Sequence, residues 1–162
     1  MIEVVVVSLG RDPGGTQTLL LLKEREGRRV LPMGIGSVEA EAIGAYLQGT
    51  HPPRPLAHDL IVQVLGRLDG HLRRVEVSAL VHDIFFARLV LEQARQQLKI
   101  DSRPSDAIAI ALRAGVPIYV TEAVLDQVGL VPRAPEEPAV GVDEAQRSVF
   151  KKFIETLNTD DL

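Results

Sequence analysis

Two neighbouring segments of alternating polarity constrain the fold of this chain more than any other feature. Residues 72–81 alternate between apolar and polar side chains, which is typical of a strand with one buried face. His82 and Asp83 follow as a turn, and residues 84–91 supply a second strand. Because so short a turn can join only antiparallel neighbours, the two segments predict a hairpin. An all-parallel sheet is therefore disfavoured.

The remaining segments predict a mixed α+β fold. Apolar runs predict further strands at residues 2–9, 18–22, 28–32, 96–100 and 116–120. Helical patterns begin at Ser37, after the proline-rich loop 50–55, at residue 107 and at residue 122, and a fifth covers residues 143–157. We expect a mainly antiparallel sheet with three to four packed helices and a C-terminal amphipathic helix.

Two of these helices carry enough apolar residues to predict how they pack. Residues 107–114 are apolar on almost every side, which indicates a buried helix. The helix after the proline-rich loop has apolar residues at a spacing that predicts one face in the core. These residues are Leu60, Ile61, Val64, Leu65 and Leu68.

The length of 162 residues predicts one domain, which we place at residues 1–130. Residues 131–142 contain three prolines and are interpreted as a linker. The tail, residues 143–162, has Val149, Phe150, Phe153 and Leu157 at helical spacing. An apolar helix face needs a partner surface, which is either the domain itself or a second subunit. A homo-oligomer formed through this tail is therefore expected.

Composition excludes several kinds of site. The chain has no cysteine, so it has no disulfide, no thiolate metal ligand and no cysteine nucleophile. Aromatic residues make up only 4%, so we expect an aliphatic core. The N-terminus lacks the basic region of a signal peptide, and no apolar run reaches the roughly 18 residues that a membrane helix needs. A cytoplasmic protein without a membrane segment is expected.

The charge of the chain bears on nucleic-acid binding. The net charge is −4; residues 131–162 carry seven acids and four bases (−3), which leaves −1 for residues 1–130. This balance is not the basic surface of a typical nucleic-acid-binding protein. Phosphate binding would therefore need a local arginine cluster or a bridging metal ion.

Three polar clusters lie beside predicted helix starts. They contain Glu39 behind a glycine-rich loop; Arg54, His58 and Asp59; and Asp101, Arg103 and Asp106. One interpretation is a site in which acids bind a cation, a histidine transfers protons and arginines hold phosphate. The other is structural: acids in the first turn stabilise the helix dipole, and Asp106 pairs with Arg113 on the same helix face.

The same three clusters carry a resemblance to a known family. Residues 31–43, 54–60 and 101–113 are similar to three sequence signatures of the bifunctional nuclease domain family, and the similarity extends from about residue 2 to 128. The last and longest of these is the most specific. The end of the tail also resembles the short C-terminal helix of bacterial members.

The resemblance implies a nuclease that acts on both DNA and RNA, with metal-assisted hydrolysis of phosphodiesters. On that hypothesis Glu39, Asp59, Asp101 and Asp106 would bind Mg²⁺ or Mn²⁺. His58, together with the three aspartates, would serve catalysis, and Arg54 and Arg103 would hold phosphate. The alternative is a non-catalytic binding or assembly module, in which the same residues cap helices and hold the fold together.

Overall fold

The structure, a computed structural model, describes residues 1–12, 14–50 and 52–131. Seven strands form one sheet in the order β3-β2-β1-β7-β4-β5-β6. The strands are β1 (Ile2–Arg11), β2 (Thr18–Glu24), β3 (Val30–Ile35), β4 (His71–Val81), β5 (Ile84–Gln93), β6 (Gln96–Ser102) and β7 (Ile118–Val120). The helices are α1 (Ser37–Leu47), α2 (Ala57–Arg67), α3 (Pro104–Ala114) and α4 (Glu122–Val128). The predicted mixed α+β class is confirmed. The predicted linker and tail helix lie outside the described residues.

The sheet consists of two antiparallel groups that β7 joins. β1, β2 and β3 form one meander, and β4, β5 and β6 form the other. β7 lies between them, antiparallel to β1 and parallel to β4. The predicted hairpin at residues 72–91 is present as β4 and β5, and residues 96–102 form one of the two edge strands. The sheet is mainly antiparallel, as expected.

One aliphatic core lies between the sheet and the helices. It combines the inward residues of the strands, such as Val75, Val77 and Leu89, with buried residues of α1, α3 and α4. α3 is buried along residues 107–111, as its apolar sequence predicts. Pro104 occupies its first turn, and Gly115 ends it in the left-handed conformation with φ of 65°. The buried core is aliphatic, as the low content of aromatic residues predicts.

α2 departs from the prediction. His58 is the only buried residue of α2, whereas Leu60, Val64 and Leu68 are exposed, Leu68 to 61%. Ile61 is also exposed and Leu65 is half-buried, so the core face predicted for this helix is wrong for most of its residues. The physical reason is that α2 packs mainly on α3 and touches the sheet little. Periodicity identifies an apolar face but not what covers it.

No helix between residues 1 and 131 is both long enough and apolar enough to span a bilayer. The longest of these helices has 11 residues, whereas a span needs about 20.

Candidate functional site

The first turns of three helices meet on the helical side of the sheet. α1 and α2 both pack against α3. Glu39 lies in the first turn of α1, His58 and Asp59 in that of α2, and Asp106 in that of α3. Arg103 is the residue just before α3. The three clusters that the sequence singles out therefore contribute to one place in the fold.

His58 and Asp106 form a hydrogen-bonded pair at the centre of this place. Nε2 of His58 lies 3.0 Å from Oδ1 of Asp106. His58 is 8% exposed, and the bond to Asp106 satisfies its buried ring nitrogen. Burial by itself would raise the pKa of Asp106, but hydrogen bonds from Arg103 and His58 outweigh it, so this pKa lies below the usual 3.8. Asp106 is therefore a carboxylate at neutral pH, and Nε2 of His58 donates to it.

Arg103 connects two of the helices through their acids. Its Nε donates to Oδ2 of Asp106 at 2.7 Å, and its Nη2 donates to Oε1 of Glu39 at 2.6 Å. These two carboxylates raise the pKa of Arg103, mainly through the hydrogen bond with Asp106. The Arg103 side chain is nevertheless 67% exposed. A cation fixed in place by two acids, yet open to solvent, can still approach an anionic ligand.

Asp59 forms an ion pair with a different arginine, Arg113. Nε of Arg113 donates to Oδ1 of Asp59 at 2.6 Å, and the other Asp59 oxygen accepts from the backbone amide of Leu56. Arg113 also donates to the carbonyls of Ala109 and Ala42, and its guanidinium lies 5.8 Å from the centre of the Tyr46 ring. Asp59 thus caps α2 and ties it to α3, which is a structural task.

Two predicted site residues lie away from this cluster. Asp101 faces Arg88 in the β5–β6 pairing, on the side of the sheet opposite the core. Arg54 is exposed in the loop before α2 and makes no ion pair with any residue that the structure describes. The structure therefore groups Glu39, His58, Arg103 and Asp106, places Asp59 beside them, and separates Asp101 and Arg54 from them.

Arg113 is the residue whose role the sequence does not reveal. Its place on α3, about two helical turns after Asp106, favours a pair with Asp106, but it binds Asp59 across 54 positions of the chain. The useful sequence signal is an arginine inside an otherwise apolar helix, because a buried cation needs a partner. Sequence alone does not say which of the acids that partner is.

The cluster does not fit a preassembled cation site. Among residues 1–12, 14–50 and 52–131, no three His, Asp or Glu side chains are grouped so that they could hold a metal ion. Glu39 and Asp106 both face Arg103, and Asp59 faces Arg113, so each acid is already neutralised by an arginine. What the arrangement offers chemically is a histidine–carboxylate pair beside an exposed guanidinium. Such a pair suits proton transfer next to a bound anion.

The fold and this cluster define a class: a mixed α+β domain in which a histidine, two acids and an arginine meet at converging helix ends. The chain belongs to the bifunctional nuclease domain family, whose model matches residues 20–133. The family membership that the three signatures predict is thereby confirmed.

Relatives fall into bacterial and plant groups. An uncharacterized protein of Mycobacterium tuberculosis is 43% identical over 161 residues, which is 98% of this chain and 96% of that protein. Bifunctional nuclease 1 of Oryza sativa subsp. indica is 29% identical over 141 residues, and Bifunctional nuclease 1 of Arabidopsis thaliana is 29% identical over 107 residues. These matches cover 84% and 64% of this chain, but only 43% and 33% of the plant proteins.

Proposed function

We propose that this protein hydrolyses phosphodiester bonds of DNA and RNA at the converging helix ends. The observation that carries the proposal is the His58–Asp106 hydrogen bond beside the exposed guanidinium of Arg103. The names of the plant relatives, which are bifunctional nucleases, support it.

The chemistry asked of each residue follows from its contacts. Asp106 accepts from Nε2 of His58, which fixes the ring and leaves Nδ1 as the nitrogen that exchanges a proton with water or a leaving group. Nδ1 makes no hydrogen bond with any residue that the structure describes. Arg103 supplies positive charge for the phosphate, and the first turn of α3 adds backbone amides at the positive end of the helix dipole.

Mg²⁺ or Mn²⁺ dependence is part of the proposal, although the described side chains do not form a ready site for either ion. The support is chemical: the oxygens of Glu39 and Asp106 are the hard donors that these cations prefer. Mg²⁺ is commonly held by one or two carboxylates together with the phosphate of the substrate.

A non-catalytic binding or assembly module is the second candidate, and one observation favours it. Each acid of the cluster has an arginine partner: Arg103 for Glu39 and Asp106, Arg113 for Asp59. Such pairing is what a structural network between three helices needs. In this candidate the cluster holds α1, α2 and α3 in register, and the protein acts through its surfaces.

The test is a cleavage assay with matched variants. The purified chain is incubated with single-stranded and double-stranded DNA and RNA in Mg²⁺, in Mn²⁺ and in EDTA. His58→Asn and Asp106→Asn alter the pair, whereas His82→Asn and Asp83→Asn make the same changes in the exposed β4–β5 turn.

Loss of cleavage in the first two variants and not in the turn variants supports the nuclease. Cleavage that survives in both pair variants would place the activity elsewhere or in a contaminant. A folded chain that cleaves none of the substrates with either ion would favour the binding module. Cleavage in EDTA would remove the metal from the proposal.

We also propose that the protein acts in the cytoplasm as a homo-oligomer. The first part is supported by the composition, because a chain without cysteine has no disulfides that would need an oxidising compartment. The second is supported by the helical spacing of Val149, Phe150, Phe153 and Leu157, which lie outside the described residues. Light scattering of the full chain and of a chain ending at residue 142 tests the second part. If the full and the shortened chain form particles with the same number of subunits, assembly through the tail is contradicted.

A further inference from the structure

The face of the sheet opposite the core carries a buried acid between two arginines. Glu76 on β4 is 3% exposed, yet it lies on the side of the strand that points away from the core residues Val75 and Val77. Its Oε1 accepts from Nε of Arg74 at 2.7 Å, and its Oε2 accepts from Nε of Arg88 at 2.5 Å. One carboxylate therefore positions two guanidinium groups.

The two arginines keep most of their donors available. Of the five N–H donors of a guanidinium, only the one on Nε is used here, and the four on the Nη nitrogens make no hydrogen bond with residues that the structure describes. Structural arginines of the same chain behave differently: Arg29 and Arg113 each donate from Nε and from both Nη nitrogens. The Arg74 and Arg88 side chains are also about one-third exposed, at 35% and 37%.

The surroundings are locally positive although the chain is acidic. Lys99 and Arg74 both face Val90 in the strand pairings, so they lie on the same side of the sheet. On this part of β4, β5 and β6 there are three basic residues and two acidic ones, so the local charge is +1. The bases are Arg74, Arg88 and Lys99, and the acids are Glu76 and Asp101. Asp101 makes no ion pair with any residue that the structure describes, so it opposes an incoming anion without being needed by a partner.

We propose that Arg74 and Arg88, positioned by Glu76 and assisted by Lys99, form a binding site for the phosphates of a nucleic-acid backbone. Planar guanidinium groups with unused Nη edges match the oxygens of a phosphate, and two of them side by side can donate hydrogen bonds to neighbouring phosphate oxygens. This is a local arginine cluster of the kind that an acidic chain needs for phosphate binding, and it is separate from Arg103. It lies on the other side of the sheet from the His58 cluster.

The test measures the affinity of the full chain for a fluorescein-labelled single-stranded oligonucleotide. Binding is monitored by fluorescence anisotropy in EDTA over a range of salt concentrations. Arg74→Gln and Arg88→Gln are each expected to weaken binding about tenfold and to reduce the slope of log affinity against log salt by about 0.7. Arg67→Gln, which removes an exposed arginine from the end of α2, is the matched control and is expected to change affinity less than about twofold.

Two further variants avoid the risk that an unpaired Glu76 disturbs folding. Asp101→Asn alters an exposed residue and is expected to tighten binding about threefold, because a repulsive charge is removed. Arg74→Lys keeps a cation beside Glu76 and is expected to weaken binding, since an ammonium lacks the fork of donors.

Equal losses in Arg67→Gln and the two site variants would overturn the proposal, and so would unchanged affinity in Asp101→Asn or absence of binding at low salt. Inorganic phosphate at the same phosphate concentration serves as competitor. Failure to compete supports a backbone ligand, and full competition would overturn the backbone assignment. Because the measurement is made in EDTA, it does not depend on whether the chain cleaves its ligand.

Discussion

Arg113 of α3 donates through Nε to Oδ1 of Asp59 in α2 at 2.6 Å, although 54 positions separate the two residues. The side chain of Arg113 is only 7% exposed, and its remaining donors reach the carbonyls of Ala109 and Ala42. One guanidinium therefore ties α1, α2 and α3 together beneath the His58 cluster. The position of His58 depends on this tie, because α2 has little contact with the sheet.

Arg113→Met tests this relationship. The substitution leaves Asp59 without its cation and removes three hydrogen bonds, so we expect the free energy of unfolding to fall by about 3 kcal/mol. Urea denaturation followed by circular dichroism measures the loss. Arg67→Met, in an exposed position of α2, is the control and should change stability by less than about 0.5 kcal/mol. Equal effects would show that the buried contacts of Arg113 contribute nothing.

Arg103 offers a contrasting case, because it is a bridge on the surface. Arg103→Gln removes two ion pairs, but the side chain is 67% exposed and water screens both. We expect a loss of about 1 kcal/mol or less, and a smaller loss at high salt. Arg28→Gln, which alters an exposed arginine in the β2–β3 turn, gives the baseline. A loss of several kcal/mol, or one that salt does not reduce, would contradict the exposed position.

Glu76 makes the stability depend on pH. Burial by itself would raise its pKa, but hydrogen bonds from Arg88 and Arg74 outweigh it, so the pKa in the folded chain lies below the ordinary 4.5. The stabilisation is therefore fully present above pH 4.5 and is lost as the pH falls through the lower, folded-state pKa. We expect Glu76→Gln to be less stable than wild type at pH 7 and to lose less stability on acidification.

Thermal unfolding between about pH 7 and about pH 2.5 measures this difference. Glu92→Gln is the control, since Glu92 pairs with Arg73 but is 45% exposed, and its loss of stability at pH 7 should be smaller than that of Glu76→Gln. A Glu76→Gln curve parallel to wild type would mean that this carboxylate does not titrate differently in the folded chain.

The exposed face of α2 gives a prediction about packing. Leu68→Gln is expected to change the unfolding free energy by less than about 0.5 kcal/mol, because Leu68 touches little of the core. Leu125→Ala, in the buried part of α4, is expected to cost about 2–5 kcal/mol. Denaturant unfolding of both variants at one protein concentration makes the comparison. A large loss for Leu68→Gln would show that this face is covered in solution.

Two glycines are expected to respond to the same substitution in opposite directions. Gly66 lies inside α2, and the space that a Cβ atom would occupy there is open, so Gly66→Ala should stabilise the chain by about 0.5–1 kcal/mol. Gly115 ends α3 with φ of 65°, where an alanine is strained, so Gly115→Ala should destabilise by about 1 kcal/mol. Melting temperatures that shift the same way in both variants would contradict the assigned backbone conformations.

Much of the fold follows from local patterns. The turn at His82 and Asp83 and the alternation on either side of it are enough to predict the β4–β5 hairpin, because pairing partners lie next to each other in the chain. The burial of α3 follows from its lack of a polar face. The three clusters at Glu39, His58 and Asp106 are also visible, since each lies at the start of a predicted helix.

Pairings between distant segments could not be predicted from these patterns. An acid at a helix start satisfies the same local rule whether it binds a cation, caps its own helix or meets a distant arginine. The sequence therefore allows Asp101 to join Asp106, yet the alternation of β6 places Asp101 on the opposite face of the sheet, beside Arg88. The partner of Arg113 is likewise decided by how α2 rests on α3.

The sequence by itself determined the mixed α+β class, the aliphatic core, the helix starts to within a few residues and the family, because these depend on side-chain periodicity and on residues close together in the chain. Only the tertiary structure decided that Arg103 joins Glu39 to Asp106, that α2 turns apolar residues outward, and that Glu76 holds two arginines on the open face of the sheet. Each of these depends on which surfaces meet when helices and strands pack, and packing is a property of the whole chain.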